Sequence, residues 1–150
     1  MNDSEIANAS LEGESAGMGT PMWSLLIAAH TLEDRIEESL SELGLSMAKL
    51  NVLSRMSEAG EPLTLGEIAQ RLKCVRSNVT QLVDRLEADG LVRREADPGD
   101  RRSTRAVLTP EGRDRQVRGA EELGRVNSAF EAGLSTEART ALTRALLELR

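Results

Sequence analysis

The chain has 150 residues, 39% of them hydrophobic, with Trp23 and Phe130 as its only aromatics; it can bury one aliphatic core, which a second subunit sharing it would help to complete. A formal net charge of −6 argues at first against a nucleic-acid partner. A single cysteine, Cys74, excludes an intrachain disulfide framework and a multi-thiolate zinc site, and no apolar run approaches the length of a membrane span.

Residues 1–20 hold Asp3, Glu5, Glu12 and Glu14, no basic residue, and many Ser, Gly and Ala, the composition of a mobile acidic tail. With no basic start and no apolar stretch the tail does not read as a secretion signal, so the expected location is cytoplasmic, with no membrane partner. Pro21 opens a long helix in which Leu25, Ala29, Leu32, Ile36, Leu40 and Leu43 recur at helical spacing, and Gly44 ends it. A second helix is expected from about Ser46, with Leu50, Leu53 and Met56 on one face, stopping near Gly60-Glu61-Pro62. Thr64 and Glu67 form a capping-box pattern ahead of a short third helix whose buried stripe is Leu65, Ile68, Ala69 and Leu72. After a turn at Lys73-Cys74, a fourth helix runs from about Val75 to Ala88 with the stripe Val75, Val79, Leu82, Val83 and Leu86; Gly90 stops it.

The period then changes. Leu91 to Glu95 and Ser103 to Leu108 read as two strands joined across the turn sequence Asp97-Pro98-Gly99-Asp100. Thr109-Pro110-Glu111 is a helix start, with Thr as N-cap and Pro at the first helical position. The long helix it opens continues to about Ala132, and a last helix after Gly133 and Ser135 carries Ala138, Leu142, Ala145, Leu146 and Leu149. The fold class is therefore mainly α with a small β-hairpin wing (α+β). It combines a winged helix-turn-helix over residues 45–109 with a helical lobe built from 21–44 and 110–150.

Charge is distributed unevenly along these elements. Residues 1–70 carry 12 acidic and 3 basic residues, whereas residues 71–105 carry 9 basic and 6 acidic. A phosphate backbone responds to that local excess more than to the total. On the fourth helix, the face opposite the core stripe holds Ser77, Thr80, Gln81 and Asp84, flanked by Arg76 and Asn78. Arg suits guanine or phosphate, and Asn and Gln suit adenine, so Arg76, Ser77, Asn78, Thr80 and Gln81 are candidate DNA-reading residues. Arg93, Arg94, Arg101, Arg102 and Arg105 lie on or beside the Pro-Gly turn, where arginines clamp phosphates or enter a minor groove. Of these, Arg94, Arg101 and Arg102, together with Asp100, complete the candidate set.

The stretch LTLGEIAQRLKCVRSNVTQLVDRLEADGLVRREADPGDRRSTRAVLTPEGR, residues 63–113, resembles the signature region of MarR/SlyA-type transcription regulators. The resemblance rests on the helix pair, on "VTQLVDRLEADGLVRR", on the wing "DPGDRRS" and on the "LTPEG" helix start. It implies an obligate homodimer in which the first and the last two helices interlock, with two winged domains over a pseudo-palindrome in double-stranded DNA. It also implies a small-molecule effector that shifts the spacing of the recognition helices, held between the first two helices and the base of the winged domain. Asp100 would then orient Arg101 or Arg102 toward the minor groove. One departure stands out: where relatives often have Gly-hydrophobic-Ser, this chain has Lys73-Cys74-Val75. Val is a poor N-cap, so either the helix starts elsewhere, at Ser77 for instance, or another group satisfies its first amides.

Other residues are read more plainly. Cys74 matches a buried apolar position and behaves there as a small hydrophobe; only an exposed thiol beside Lys73 and Arg76 would suit redox sensing. His30, with Glu33, Asp34 and Glu37 near it, reads as a surface or interface histidine, and no metal site or cofactor is expected. Trp23 suits a dimer interface or an effector pocket. Gly112, Gly119 and Gly124 each weaken the long helix by about 1 kcal/mol, in return for close packing or a softened arm. With no phosphate loop, no ligand set and no supported nucleophile, an enzyme is not expected. The alternative reading is a winged-helix protein-interaction module without specific DNA binding.

Overall fold

In the computed structural model, residues 20–100 and 102–149 are described. The acidic stretch 1–19 and Arg101 lie outside the described residues. The chain divides into two units at the Arg35–Ile36 boundary.

The first long helix, α1 (Pro21–Ser41), crosses that boundary. Within the first unit it exposes Met22, Trp23, Leu25, Leu26 and Ile27, and His30 lies 3.7 Å from Asp34 one turn on.

The second unit begins with the end of α1, where Leu40 is fully buried. Gly44 takes the left-handed conformation (φ +65°) that turns the chain into α2 (Met47–Ala59). Ser46 caps α2 by accepting from the Lys49 amide, and Gly60 closes it in the left-handed region. A strand of two residues, β1 (Leu63–Thr64), leads into α3 (Leu65–Leu72), and α4 (Arg76–Ala88) follows after three residues. β2 (Val92–Ala96) and β3 (Thr104–Leu108) form the hairpin, then come α5 (Pro110–Ala132) and α6 (Thr136–Glu148). The sheet order is β1-β3-β2, all antiparallel, with Leu63 opposite Ala106 and Val92 opposite Leu108. The third strand, β1, is too short to carry a period and was not expected from the sequence.

The core is aliphatic, as the composition requires. Leu50, Leu53 and Met56 of α2, Ile68 of α3, Val79, Val83 and Leu86 of α4, and Val92, Ala106 and Leu108 of the sheet form one buried cluster. Leu65, Leu72, Leu82 and Cys74 pack against it partly buried. Val75 does not belong to the stripe assigned to it; it is 62% exposed. The periodic pattern placed it four residues before Val79, but its backbone is extended (φ −73°, ψ 143°), so the side chain leaves the helical row.

Two of the three glycines in α5 are explained by close packing. A Cβ at Gly112 would lie 1.9 Å from the Leu91 carbonyl oxygen, and one at Gly119 2.8 Å from a Leu45 methyl. Nothing crowds Gly124 within 4 Å. Thr109 fastens the same junction: its hydroxyl donates to the Gly90 carbonyl at 2.8 Å and accepts from the Gly112 amide at 2.9 Å. α6 is different in kind. It buries none of its residues and exposes Leu142, Leu146 and Leu147.

Candidate nucleic-acid interface

The interface is set up by the way α3 and α4 begin. At α3, the Thr64 hydroxyl accepts from the Glu67 amide while the Glu67 carboxylate accepts from the Thr64 amide at 2.7 Å, a complete capping box. The Thr64 amide and hydroxyl, both donating to that carboxylate, hold the Glu67 pKa below its usual value. α3 then ends on Lys73, the one described non-glycine residue with positive φ (+52°). A side chain in that conformation costs about 1–2 kcal/mol, which the packed turn must absorb. The position delivers an exposed ammonium to the turn.

α4 begins without such help. Val75 is its N-cap and makes no side-chain cap hydrogen bond; the helix starts at Arg76, not at Ser77. The Asn78 amide bonds the Val75 carbonyl at 3.1 Å, tightening the first turn. Of the candidate readers on α4, Arg76, Ser77, Asn78 and Gln81 are exposed. Thr80 is half-buried, its hydroxyl donating to the Arg76 carbonyl at 3.0 Å. Arg71, Lys73 and Arg76 surround the turn, and none is ion-paired among the described residues.

Arg94 is placed differently from the other candidates. Its guanidinium bridges Glu87 and Asp84, each at 2.6 Å, and its own amide donates to Glu87 at 3.0 Å. The Asp84 hydrogen bond, ahead of that from Glu87, raises its pKa still further above the normal arginine value. Arg94 thus ties β2 to the C-terminal half of α4, a brace between the helix and the wing.

The wing is closed by Asp97, a side chain the sequence reading passed over. It is buried, accepts from the Gly99 amide at 2.9 Å and is ion-paired to Arg105 at 3.1 Å. The Gly99 amide, and then Arg105, hold its pKa below the ordinary aspartate value. The Asp-Pro-Gly pattern carried a signal for this, since an aspartate two residues before a turn glycine commonly accepts from its amide. Asp100 is exposed, and its carboxylate accepts from the Arg102 amide at 2.9 Å, so it orders the backbone under Arg102. Arg102 itself is exposed and not ion-paired among the described residues.

A cleft of about 130 Å³ opens among Met56, Gly60, Glu61, Pro62, Val107 and Arg113, where α2 ends beside β3 and α5. Among the described residues no group of three or more His, Cys, Asp or Glu could hold a metal ion, and no helix is long and apolar enough to cross a membrane.

Two adjoining helices with an exposed polar face on the second, followed by an arginine-bearing hairpin, make up a winged helix-turn-helix. The family model described as MarR family matches residues 43–103, spanning that unit from the α1–α2 turn to the wing tip. Residues 43–103 resemble the MarR family and fold as a winged helix-turn-helix. An uncharacterized HTH-type transcriptional regulator, YcgE of Bacillus subtilis, is 46% identical over 68 residues, 45% of this chain and 42% of that protein. The chain spans about half the length of the curated relatives it matches. Among solved structures, the MarR-like fold recurs over nearly the whole chain. The transcriptional repressor CouR bound to a 23-mer DNA duplex is 27% identical, with a TM-score of 0.72 over 89% of this chain and 96% of its own. The organohalide-sensing regulator RdhR-CbdbA1625 in its 2,4-dichlorophenol-bound form is 25% identical, with a TM-score of 0.76 over 91% and 82%.

Proposed function

We propose that the protein is a site-specific duplex-DNA-binding transcription regulator, a homodimer on a pseudo-palindromic operator, acting as a repressor. The observation that carries this reading is the exposed row Arg76, Ser77, Asn78 and Gln81 on α4, joined by the Arg94 brace to a wing that presents Arg102. α4 lies in the major groove with its first turns on base edges. Arg76 and Gln81 discriminate bases, Ser77, Asn78 and Thr80 bond bases or phosphates, and Arg101 and Arg102 enter the minor groove or clamp its phosphates. Arg94 acts by holding the wing in place.

The dimer reading is supported by apolar side chains that the monomer does not cover: Met22, Leu26 and Ile27 on α1, and Leu146 and Leu147 on α6, are each at least 40% exposed. The effector reading is supported by the relative solved with 2,4-dichlorophenol; in this protein an effector releases DNA by binding one spacing of the recognition helices better than the other.

Selection of duplexes from a random-sequence library by the purified full-length protein tests the reading. The expected product is a pseudo-palindrome bound by two chains, with affinity falling steeply as salt rises and collapsing in Arg101→Ala plus Arg102→Ala. If no duplex is enriched and that variant matches wild type at low salt, the DNA-binding reading is wrong.

A further inference from the structure

We propose that Val75 reads the 5-methyl group of a pyrimidine, thymine in ordinary DNA, from the leading tip of α4; the inference rests on the DNA-binding reading above and deepens it. Val75 carries a burden that nothing among the described residues offsets. It stands at an N-cap, where Ser, Thr, Asp or Asn would satisfy an orphan amide, and it makes no side-chain cap hydrogen bond. It is also 62% exposed while Val79, Val83 and Leu86 of the same helix are fully buried. A lone exposed valine elsewhere on a surface would be ordinary. Here it occupies the end of the helix that enters the groove first, flanked by exposed Lys73, Arg76, Ser77 and Asn78.

The chemistry of the groove supplies an apolar counterpart. The major-groove edge of DNA presents donors and acceptors at every base pair, but only thymine adds a methyl group there, and apolar side chains contact it. Lys73 and Arg76 are free of ion pairs among the described residues, so phosphate attraction draws this tip against the duplex. Both branches of the valine isopropyl group can then close over the methyl and expel water. A cytosine at that position offers only a hydrogen and leaves the isopropyl group against a void, whereas 5-methylcytosine restores the contact.

The test uses the full-length protein and a duplex it has selected from a random-sequence library. Each thymine is exchanged in turn for deoxyuridine, which removes the methyl and leaves the pairing unchanged. Wild type is expected to lose about four-fold in affinity per half-site at one position, the worth of burying one methyl group. Val75→Ala and Val75→Ser, both at an exposed site and expected to fold, should bind the thymine and deoxyuridine duplexes equally at that position and keep wild-type sensitivity at every other. Between cytosine and 5-methylcytosine at that position, wild type should bind the methylated base about four-fold more tightly, and Val75→Ala should bind the two equally. If wild type binds but shows no deoxyuridine-sensitive position, or Val75→Ala keeps every sensitivity of wild type, the inference is wrong while the DNA-binding reading stands. If no duplex is selected at all, that reading fails and takes the inference with it.

Discussion

The two helices of the helix-turn-helix start in opposite ways. α3 opens on Thr64 and Glu67, which satisfy each other's backbone amides, and its N-cap strand pairs with β3. α4 opens on Val75, extended, exposed and without a side-chain cap. In the proposed DNA-binding reading, the difference separates a supporting side of the domain from a contacting side. On the supporting side, each polar group is spent inside the fold: the Thr64 box, the Arg94 brace, the Asp97–Arg105 pair and the Thr109 junction. On the contacting side, Arg76, Ser77, Asn78, Gln81 and Arg102 remain exposed. Substitutions on the first side should act on stability and those on the second on DNA affinity, so an effect that crosses over breaks the comparison.

The largest expected effect lies on the supporting side. Gly112→Ala puts a methyl 1.9 Å from the Leu91 carbonyl oxygen, a backbone atom that cannot swing away. It should cost about 3 kcal/mol or more, seen in a thermal melt as a transition lowered by roughly 10 °C. Ala at Gly124, where nothing lies within 4 Å, should instead leave the melt unchanged or raise it.

Arg94→Ala comes next and sharpens the boundary itself. It leaves Asp84 and Glu87 facing each other without their shared cation and frees β2 from α4. Stability should fall by about 1–2 kcal/mol and DNA affinity with it, and Arg94→Lys, lacking the two-pronged guanidinium, should recover little of either. If affinity falls while the melt stays at the wild-type temperature, Arg94 touches DNA directly and belongs to the contacting side.

Thr64→Ala should cost about 1 kcal/mol through loss of the cap. It should also alter the acid limb of stability. The Glu67 pKa is lowered in the folded chain, so its contribution is present above the unfolded value near 4.5 and is lost as pH falls through the folded value. Melts between pH 7 and pH 3 should show a shallower decline in Thr64→Ala than in wild type. The smallest effect is a gain: Val75→Ser should add up to about 1 kcal/mol of stability by capping α4.

The helices and their limits were legible because the signals were local. Thr64 and Thr109 announced N-caps, Ser46 marked a helix start that it proves to cap, Gly44, Gly60 and Gly90 announced stops, and the aliphatic spacing marked the faces. The turn sequence Asp97-Pro98-Gly99-Asp100 between Leu91–Glu95 and Ser103–Leu108 marked the hairpin, which the structure places at Val92–Ala96 and Thr104–Leu108. β1 was not legible, because two residues carry no period and Leu63 pairs with Ala106, more than forty residues away. Val75 was misassigned because helical spacing holds only where the backbone is helical, and an N-cap is not. At the interface the arginines are evident in the sequence, and only the fold shows which are already spent. Arg94, chosen as a DNA contact, is bound to two carboxylates from α4, while the role of Asp97 depends on a loop closing over it.

The central claim is that the exposed cations beside α4 and on the wing meet phosphates as a symmetric pair. The most direct measurement is the salt dependence of affinity for a selected duplex, wild type against Arg102→Ala, with melts run on both. The account predicts an unchanged melt, weaker binding, and a log–log salt slope shallower by about two, one released counterion for each subunit. A variant with the wild-type slope, or one whose lost affinity is matched by a lowered melt, would contradict it.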